Sequence, residues 1–195
     1  MMPDAAYLGM AAGILNLAAF VPFIVTIFSD GKRPNRATWI IWAVLNWILL
    51  FQYSQTGANE TWWVTLGLVV GSTPLALLTL RWGEGGWTRF DLCCIAGAAV
   101  SLVVWLYFGS PQTGLLMALA VDGFGVAATI RHAYRKPWEE SAIAWSLFFV
   151  GDALNVAAVS DWSMDAFGIW IYPVVMALYT TPIFVLTLRK KDPSG

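Results

Sequence analysis

The sequence predicts an all-α membrane protein of seven transmembrane helices, and three observations predict it. Of the 195 residues, 58% are hydrophobic and 12% are charged, about half the charged share of an ordinary soluble domain. The charges punctuate long apolar stretches, each near the ~20 residues that an α-helix needs to cross ~30 Å of hydrocarbon. All eleven Lys and Arg fall on one side of a seven-span arrangement. A chain this small cannot shelter so much apolar surface in a soluble core. The alternation of apolar and polar residues that a β-barrel requires is missing from these runs.

The first span covers residues 7–28 and carries Asn16 and Pro22. Asp4 precedes it and no basic residue does, so it lacks the n-region of a cleavable signal and is expected to stay as a span. Residues 37–53 form the second span and 62–80 the third, with Pro74 inside. The fourth, 90–108, opens on the adjacent pair Cys93-Cys94. Neighbouring cysteines rarely bridge each other, so these read as small apolar residues and not as a disulfide framework. The fifth span, 113–130, holds Asp122; the sixth, 141–160, holds Asp152; the seventh, 165–188, holds Pro182. Trp62, Trp63, Trp82, Trp87, Trp138 and Trp162 sit at span ends, as an interfacial aromatic belt requires.

The basic residues group as Lys32, Arg33 and Arg36; Arg81 and Arg89; Arg131, Arg135 and Lys136; and Arg189, Lys190 and Lys191. The opposite side holds Asp4, Glu60, Asp161 and Asp165. The positive-inside rule then puts the N-terminus outside and the C-terminus in the cytoplasm. Short loops and a simple layout point to a bacterial inner membrane.

The chain also repeats itself. An offset of 103 pairs Thr26 with Thr129, Ile27 with Ile130, Lys32 with Arg135, Arg33 with Lys136, Pro34 with Pro137, Thr38 with Ser141 and Trp42 with Trp145. An offset of 108 aligns STPLALLTLR at 72–81 with TTPIFVLTLR at 180–189, and Trp62 with Trp170. Residues 1–81 therefore read as a first three-helix repeat, 82–110 as a linker helix and 111–195 as a second repeat. Three spans are an odd number, so the fourth restores the orientation of the second set. Parallel repeats of this kind occur in transporters that hold substrate between the halves near mid-membrane.

This 3+1+3 layout resembles the PQ-loop superfamily, which includes the SWEET sugar transporters. That family carries Pro-Gln near the inner ends of spans one and five, followed by a basic loop. Here Pro22 and the basic loop are present, Phe23 stands in place of the glutamine, and Gly125-Val126 stands at the aligned pair in span five. Where SWEETs place an asparagine in spans three and seven, this chain has Ser72-Thr73 and Thr180-Thr181. The resemblance implies solute transport by alternating access between two three-helix bundles.

Polar residues at membrane depth are the candidate site. Ionisable groups there are costly in lipid and face the bundle interior. Asp122 and Asp152 have no basic residue at comparable depth, and a carboxyl that takes up and releases a proton there is what proton coupling requires. Trp145, Phe149 and Asp152 share one helical face, and the repeat-related face is Trp42, Asn46 and Leu49. Asn16 lies one turn from Ala19, the position aligned with Asp122. Gly123 and Gly125 permit close helix approach beside Asp122. The candidate substrate-binding set is Asn16, Trp42, Asn46, Ser72, Thr73, Trp145, Asp152, Tyr179 and Thr180. Pro22, Pro74 and Pro182 are candidate hinges, with hydroxyls before the last two able to satisfy freed carbonyls.

No phosphate loop, Ser-His-Asp set, zinc motif or nucleotide fingerprint is present. His132 is placed in a basic inner loop without a ligand cluster. Retinal would need a lysine buried in the last span, and Lys190 and Lys191 follow it. The expectation is therefore no enzyme, no cofactor, no metal and no nucleic-acid partner. The expected partners are a small-molecule solute and the lipid bilayer, and a homo-oligomer is compatible with the sequence. The alternative is a non-transporting receptor, scaffold or partner subunit of the same fold.

Overall fold

The computed structural model describes residues 3–29 and 34–189. Lys32, Arg33, Lys190 and Lys191, which enter the charge pattern, lie outside the described residues. Among the described residues the chain is all-helical, and local chemistry accounts for most of the boundaries.

Helix α1 (Pro3–Ala18) begins on a proline, which has no N–H to lose at a first helical position. Helix α2 (Phe20–Ser29) follows after a break at Ala19. Pro22 causes this break, because it cannot donate to the Ala18 carbonyl and its ring crowds that oxygen. Helix α3 (Arg36–Ser54) is capped by Asn35, whose side chain accepts from the Thr38 N–H at 3.1 Å. Helix α4 (Trp63–Trp82) contains Pro74 and stops at Gly83. Arg36 caps its C-terminus, donating to the carbonyls of Thr79 at 3.1 Å and Gly83 at 2.8 Å, where a cation also suits the helix dipole.

Helix α5 (Arg89–Phe108) opens on a capping box between Thr88 and Asp91 and ends at Gly109, whose φ is 64°. Helix α6 (Pro111–Arg135) starts under a Ser110 cap with proline in its first turn and runs 25 residues without a break. A 3-10 turn, Pro137–Glu139, leads to the Ser141 cap of α7 (Ala142–Ala157). Helix α8 (Phe167–Thr187) carries Pro173 and Pro182 and stays continuous. Thr180 and Thr181 donate to the carbonyls of Met176 and Ala177, the two just before the Leu178 carbonyl that Pro182 frees. The hydroxyls therefore do not repair the proline site as the sequence reading expects.

Six of the apolar segments are long enough to cross a membrane, with α1 and α2 together as one of them. The seventh, α7, ends at Ala157 after 16 residues, about 24 Å at 1.5 Å per residue, so the expected span of 141–160 is shorter than read.

The helices close a ring. Going round it, α1 packs on α4, α4 on α3, α3 on α6, α6 on α8, α8 on α7 and α7 back on α1, while α5 packs outside against α3 and α6. A large buried cluster fills the ring, with Tyr53, Leu75, Leu115, Tyr172 and Ile183 among its members. A small second cluster of Ile41, Leu45, Cys94 and Ala98 ties α5 to α3. The outer surface is apolar along the helices: Ile14 is 63% exposed, Val103 62%, Leu106 67% and Leu178 65%. In water such a belt would be a large unsheltered patch; against lipid tails it costs nothing. The chain is an all-helical protein whose apolar helices suit an integral membrane protein.

Candidate functional site

Inside the ring, one cavity runs from mid-depth toward the end that bears Arg36, Arg81 and Arg189. Its polar walls are Asn16, Asn46, Asp122, Asp152, Tyr179 and Thr180, and its rings are Phe20, Phe23, Trp39, Trp42, Trp145 and Phe148. Leu68, Val126, Met176 and Ile183 complete it. The volume open to water-sized centres is about 70 Å³, several times the ~10–15 Å³ that one water needs.

Asp152 joins three helices at the cavity. It is 1% exposed; its Oδ1 accepts from Asn16 Nδ2 at 3.3 Å and its Oδ2 from Thr180 Oγ1 at 2.9 Å. These bonds tie α7 to α1 on one side and to α8 on the other. Asn16 Nδ2 also donates to Ala12 O at 3.1 Å, while its Oδ1 is buried without a partner. Asp122 lines the same cavity from α6 and makes no hydrogen bond among the described residues. Tyr179 donates to Leu119 O at 3.0 Å, and Asn46 Nδ2 donates to Ser72 Oγ at 3.2 Å.

The opposite end of the bundle is sealed. Tyr53 and Tyr172 are both fully buried, with ring centroids 4.5 Å apart. The Tyr53 hydroxyl shares a hydrogen bond with Thr61 Oγ1 at 2.5 Å and donates to Ile169 O at 2.6 Å. Around this seal, Gln52 Oε1, both side-chain polar atoms of Asn155 and the Tyr172 hydroxyl are buried without partners.

The sequence-predicted residues divide accordingly. Asn16, Trp42, Asn46, Asp122, Trp145, Asp152, Tyr179 and Thr180 meet at the cavity. Ser72 lies behind Asn46, fully buried, as its hydrogen-bond support. Thr73 points the other way and accepts from the exposed Trp47 Nε1 at 3.1 Å, because one helical residue turns the side chain by about 100°. Pro22, Pro74 and Pro182 do not line the cavity. Phe148 takes the wall position read for Phe149, which stacks on Phe184 with centroids 4.5 Å apart. Leu49 is in the core and not in the wall.

The register of the two tryptophans also differs from the sequence reading. Asn35 and Ser141 are the N-caps, so Trp39 and Trp145 each stand four residues past a cap. Trp39, not Trp42, is thus the helical equivalent of Trp145. The three-residue shift is the length of the 3-10 turn Pro137–Glu139, which precedes the Ser141 cap.

His132 is in the last turn of α6, not in a loop, and faces Glu139 at 3.2 Å and Glu140 at 3.9 Å. Glu140 Oε2 accepts from Trp145 Nε1 at 2.8 Å, so the carboxyl fixes a cavity ring. Lys136 donates to Glu139 at 2.7 Å and holds that exposed carboxyl below its usual range.

Glycines set the wall residues. A Cβ on Gly71 of α4 would enter the Phe20 ring, and a Cβ on Gly123 of α6 would meet the Tyr179 hydroxyl. Gly123 and Gly125 thus make room for aromatic side chains, Tyr179 and Trp42, and not for another backbone as expected. Backbone approach belongs to α1 and α4, where a Cβ on Gly67 would run into the Gly13 carbonyl oxygen. The aromatic wall residues Phe20, Phe23 and Trp39 escape sequence reasoning, since an apolar residue in an apolar helix gives no signal.

No family model, curated protein or solved structure matches this chain.

Proposed function

We propose that the chain is a small-solute transporter of the membrane, working by alternating access between two three-helix halves. The single observation that carries this reading is the central cavity, mixed in polarity and enclosed by helices from both halves. One half is α1 with α2, α3 and α4; the other is α6, α7 and α8, with α5 as linker. Helix packing supports the division, because each contact has a counterpart four spans later: α1 on α4 with α6 on α8, α3 on α4 with α7 on α8, and α1 on α7 with α6 on α3. On this reading the bundle is SWEET-like, with the N-terminus outside, the C-terminus in the cytoplasm and a bacterial inner membrane as its home.

Alternating access needs a second state, and the sealed end supports one. Unpartnered buried polar atoms on Gln52, Asn155 and Tyr172 cost about 1–3 kcal/mol each when dry. Water entering on opening would remove that cost. The cavity's carboxyls, Asp122 and Asp152, are the groups that carry protons in a coupled cycle.

The test is uptake by proteoliposomes under an inward proton gradient, across sugars, amino acids, vitamins, nucleosides and amines. Uptake of one class that collapses in Asp122→Asn, with the variant still folded, is the expected result. Unchanged gradient-driven uptake in that variant contradicts the coupling. Absence of uptake for every class contradicts transport.

A further inference from the structure

The cavity's polar inventory is one-sided. It holds two carboxyls and no Lys, Arg or His. Its donors are mostly spent inside the wall: Asn16 Nδ2 on Ala12 and Asp152, Thr180 on Asp152, Tyr179 on Leu119, Trp145 on Glu140. The indole N–H groups of Trp39 and Trp42 remain, with one N–H of Asn46 beside the one it gives to Ser72 Oγ. The acceptors are not spent: Asn16 Oδ1 is buried with no partner, and the Asp122 carboxyl has no hydrogen bond among the described residues. A buried carboxyl takes either a counter-charge or a proton, and an orphaned carbonyl oxygen requires a donor. A sugar brings hydroxyls that need acceptors and donors in similar number, and an anion would meet two acids.

The remaining wall is aromatic. Trp39 lies edge-on to Trp42 with centroids 5.4 Å apart, and Phe20 to Phe148 at the same distance. Ring faces attract a cation within about 6 Å, most strongly when water is excluded.

We infer that the cavity takes an organic cation, an ammonium whose charge meets Asp122, Asp152 and Asn16 Oδ1 and whose alkyl groups rest on the rings. The inference rests on the cavity being the transport site. It also defines the cycle. The titratable groups facing the cavity are Asp122 from α6, Asp152 from α7 and Tyr179 from α8; the walls from α1, α2, α3 and α4 add none. Cation and protons therefore compete for the same carboxyls, and the transporter exchanges one for the other.

The probes are choline and its neutral isostere 3,3-dimethylbutan-1-ol, titrated against the intrinsic tryptophan fluorescence of the purified full chain. Choline is expected to bind at least about tenfold more tightly than the alcohol, a difference of ~1.4 kcal/mol. Asp122→Asn removes no hydrogen bond of the wall, so it folds, and it brings choline down to the level of the alcohol. Asp152→Asn keeps its acceptor for Thr180 and serves as the second variant. Equal affinity for choline and the alcohol overturns the inference, as does unchanged choline affinity in both variants. Neutral-solute uptake without choline binding removes the cation and leaves transport standing. Absence of both, together with a cavity closed to water, removes the transport reading and the inference with it.

Discussion

The two halves of the proposed division make one contact with opposite assignments of large and small residues. In the first half Phe20 of α2 fills the space left by Gly71 of α4; in the second, Tyr179 of α8 fills the space left by Gly123 of α6. Phe20 and Gly123 are 103 positions apart, Gly71 and Tyr179 are 108, and these are the two repeat offsets. The packing geometry is kept while the chemistry is exchanged: the first half contributes an apolar ring there, and the second a phenol whose hydroxyl is anchored on Leu119. The polar groups divide in the same manner. The first half supplies amides, Asn16 and Asn46, and the second supplies both acids, Asp122 and Asp152. On the proposed reading, a solute at this interface would meet charge from one side and amides and most of the rings from the other.

Breaking the exchanged contact has the largest expected effect. Gly71→Ala pushes a methyl into Phe20, which is 3% exposed and wedged against Trp39 and Phe148. A loss of about 3 kcal/mol is expected, the upper range for overpacking. Gly123→Ala meets only the far end of Tyr179, so about 1 kcal/mol is expected, near the value of one hydrogen bond. Reversible unfolding of both variants in detergent checks the difference, and equal losses would show that the end of Tyr179 yields no more easily than the wedged Phe20 ring. Asp152→Ala comes next. It strips the acceptor from Asn16 and Thr180, both of which keep a fallback carbonyl on their own helix, so about 1–2 kcal/mol is expected, as for interhelical hydrogen bonds in membranes. Glu140→Ala releases the Trp145 ring from its anchor without touching the cavity's carboxyls. A fall of about fivefold in ligand affinity, ~1 kcal/mol, is expected in a fluorescence titration, with little change in stability. Thr73→Val, on the outward face, is expected to leave ligand affinity unchanged and to shift stability by less than ~0.5 kcal/mol.

These contrasts also show what the sequence could tell. Apolar runs and charge grouping reveal helices because lipid imposes length and composition on every span. Asp122, Asp152, Asn16 and Asn46 stand out because a polar side chain at that depth has few reasons to exist. Register is harder to read. The offset measured at Pro34 and Pro137 carries into α3 and α7 only if their connectors have equal length, and Pro137–Glu139 adds a turn. The proline effects are unequal: Pro22 interrupts at Ala19, whereas Pro74, Pro173 and Pro182 sit in continuous helices. The early end of α7 at Ala157 and the outward turn of Thr73 depend on packing that no local pattern encodes.

The most direct test of the account is thiol accessibility of the cavity. Cys93 and Cys94 are replaced by serine and alanine, and single cysteines are placed at Val126, a cavity wall residue, and at Tyr172, in the sealed end. A membrane-impermeant thiol reagent is then applied to each side of sealed vesicles. The account predicts that Val126→Cys reacts from the side bearing Arg36 and Arg189 and is protected by choline, while Tyr172→Cys stays unreactive from that side. A Val126→Cys chain that is folded yet unreactive from both sides would contradict it.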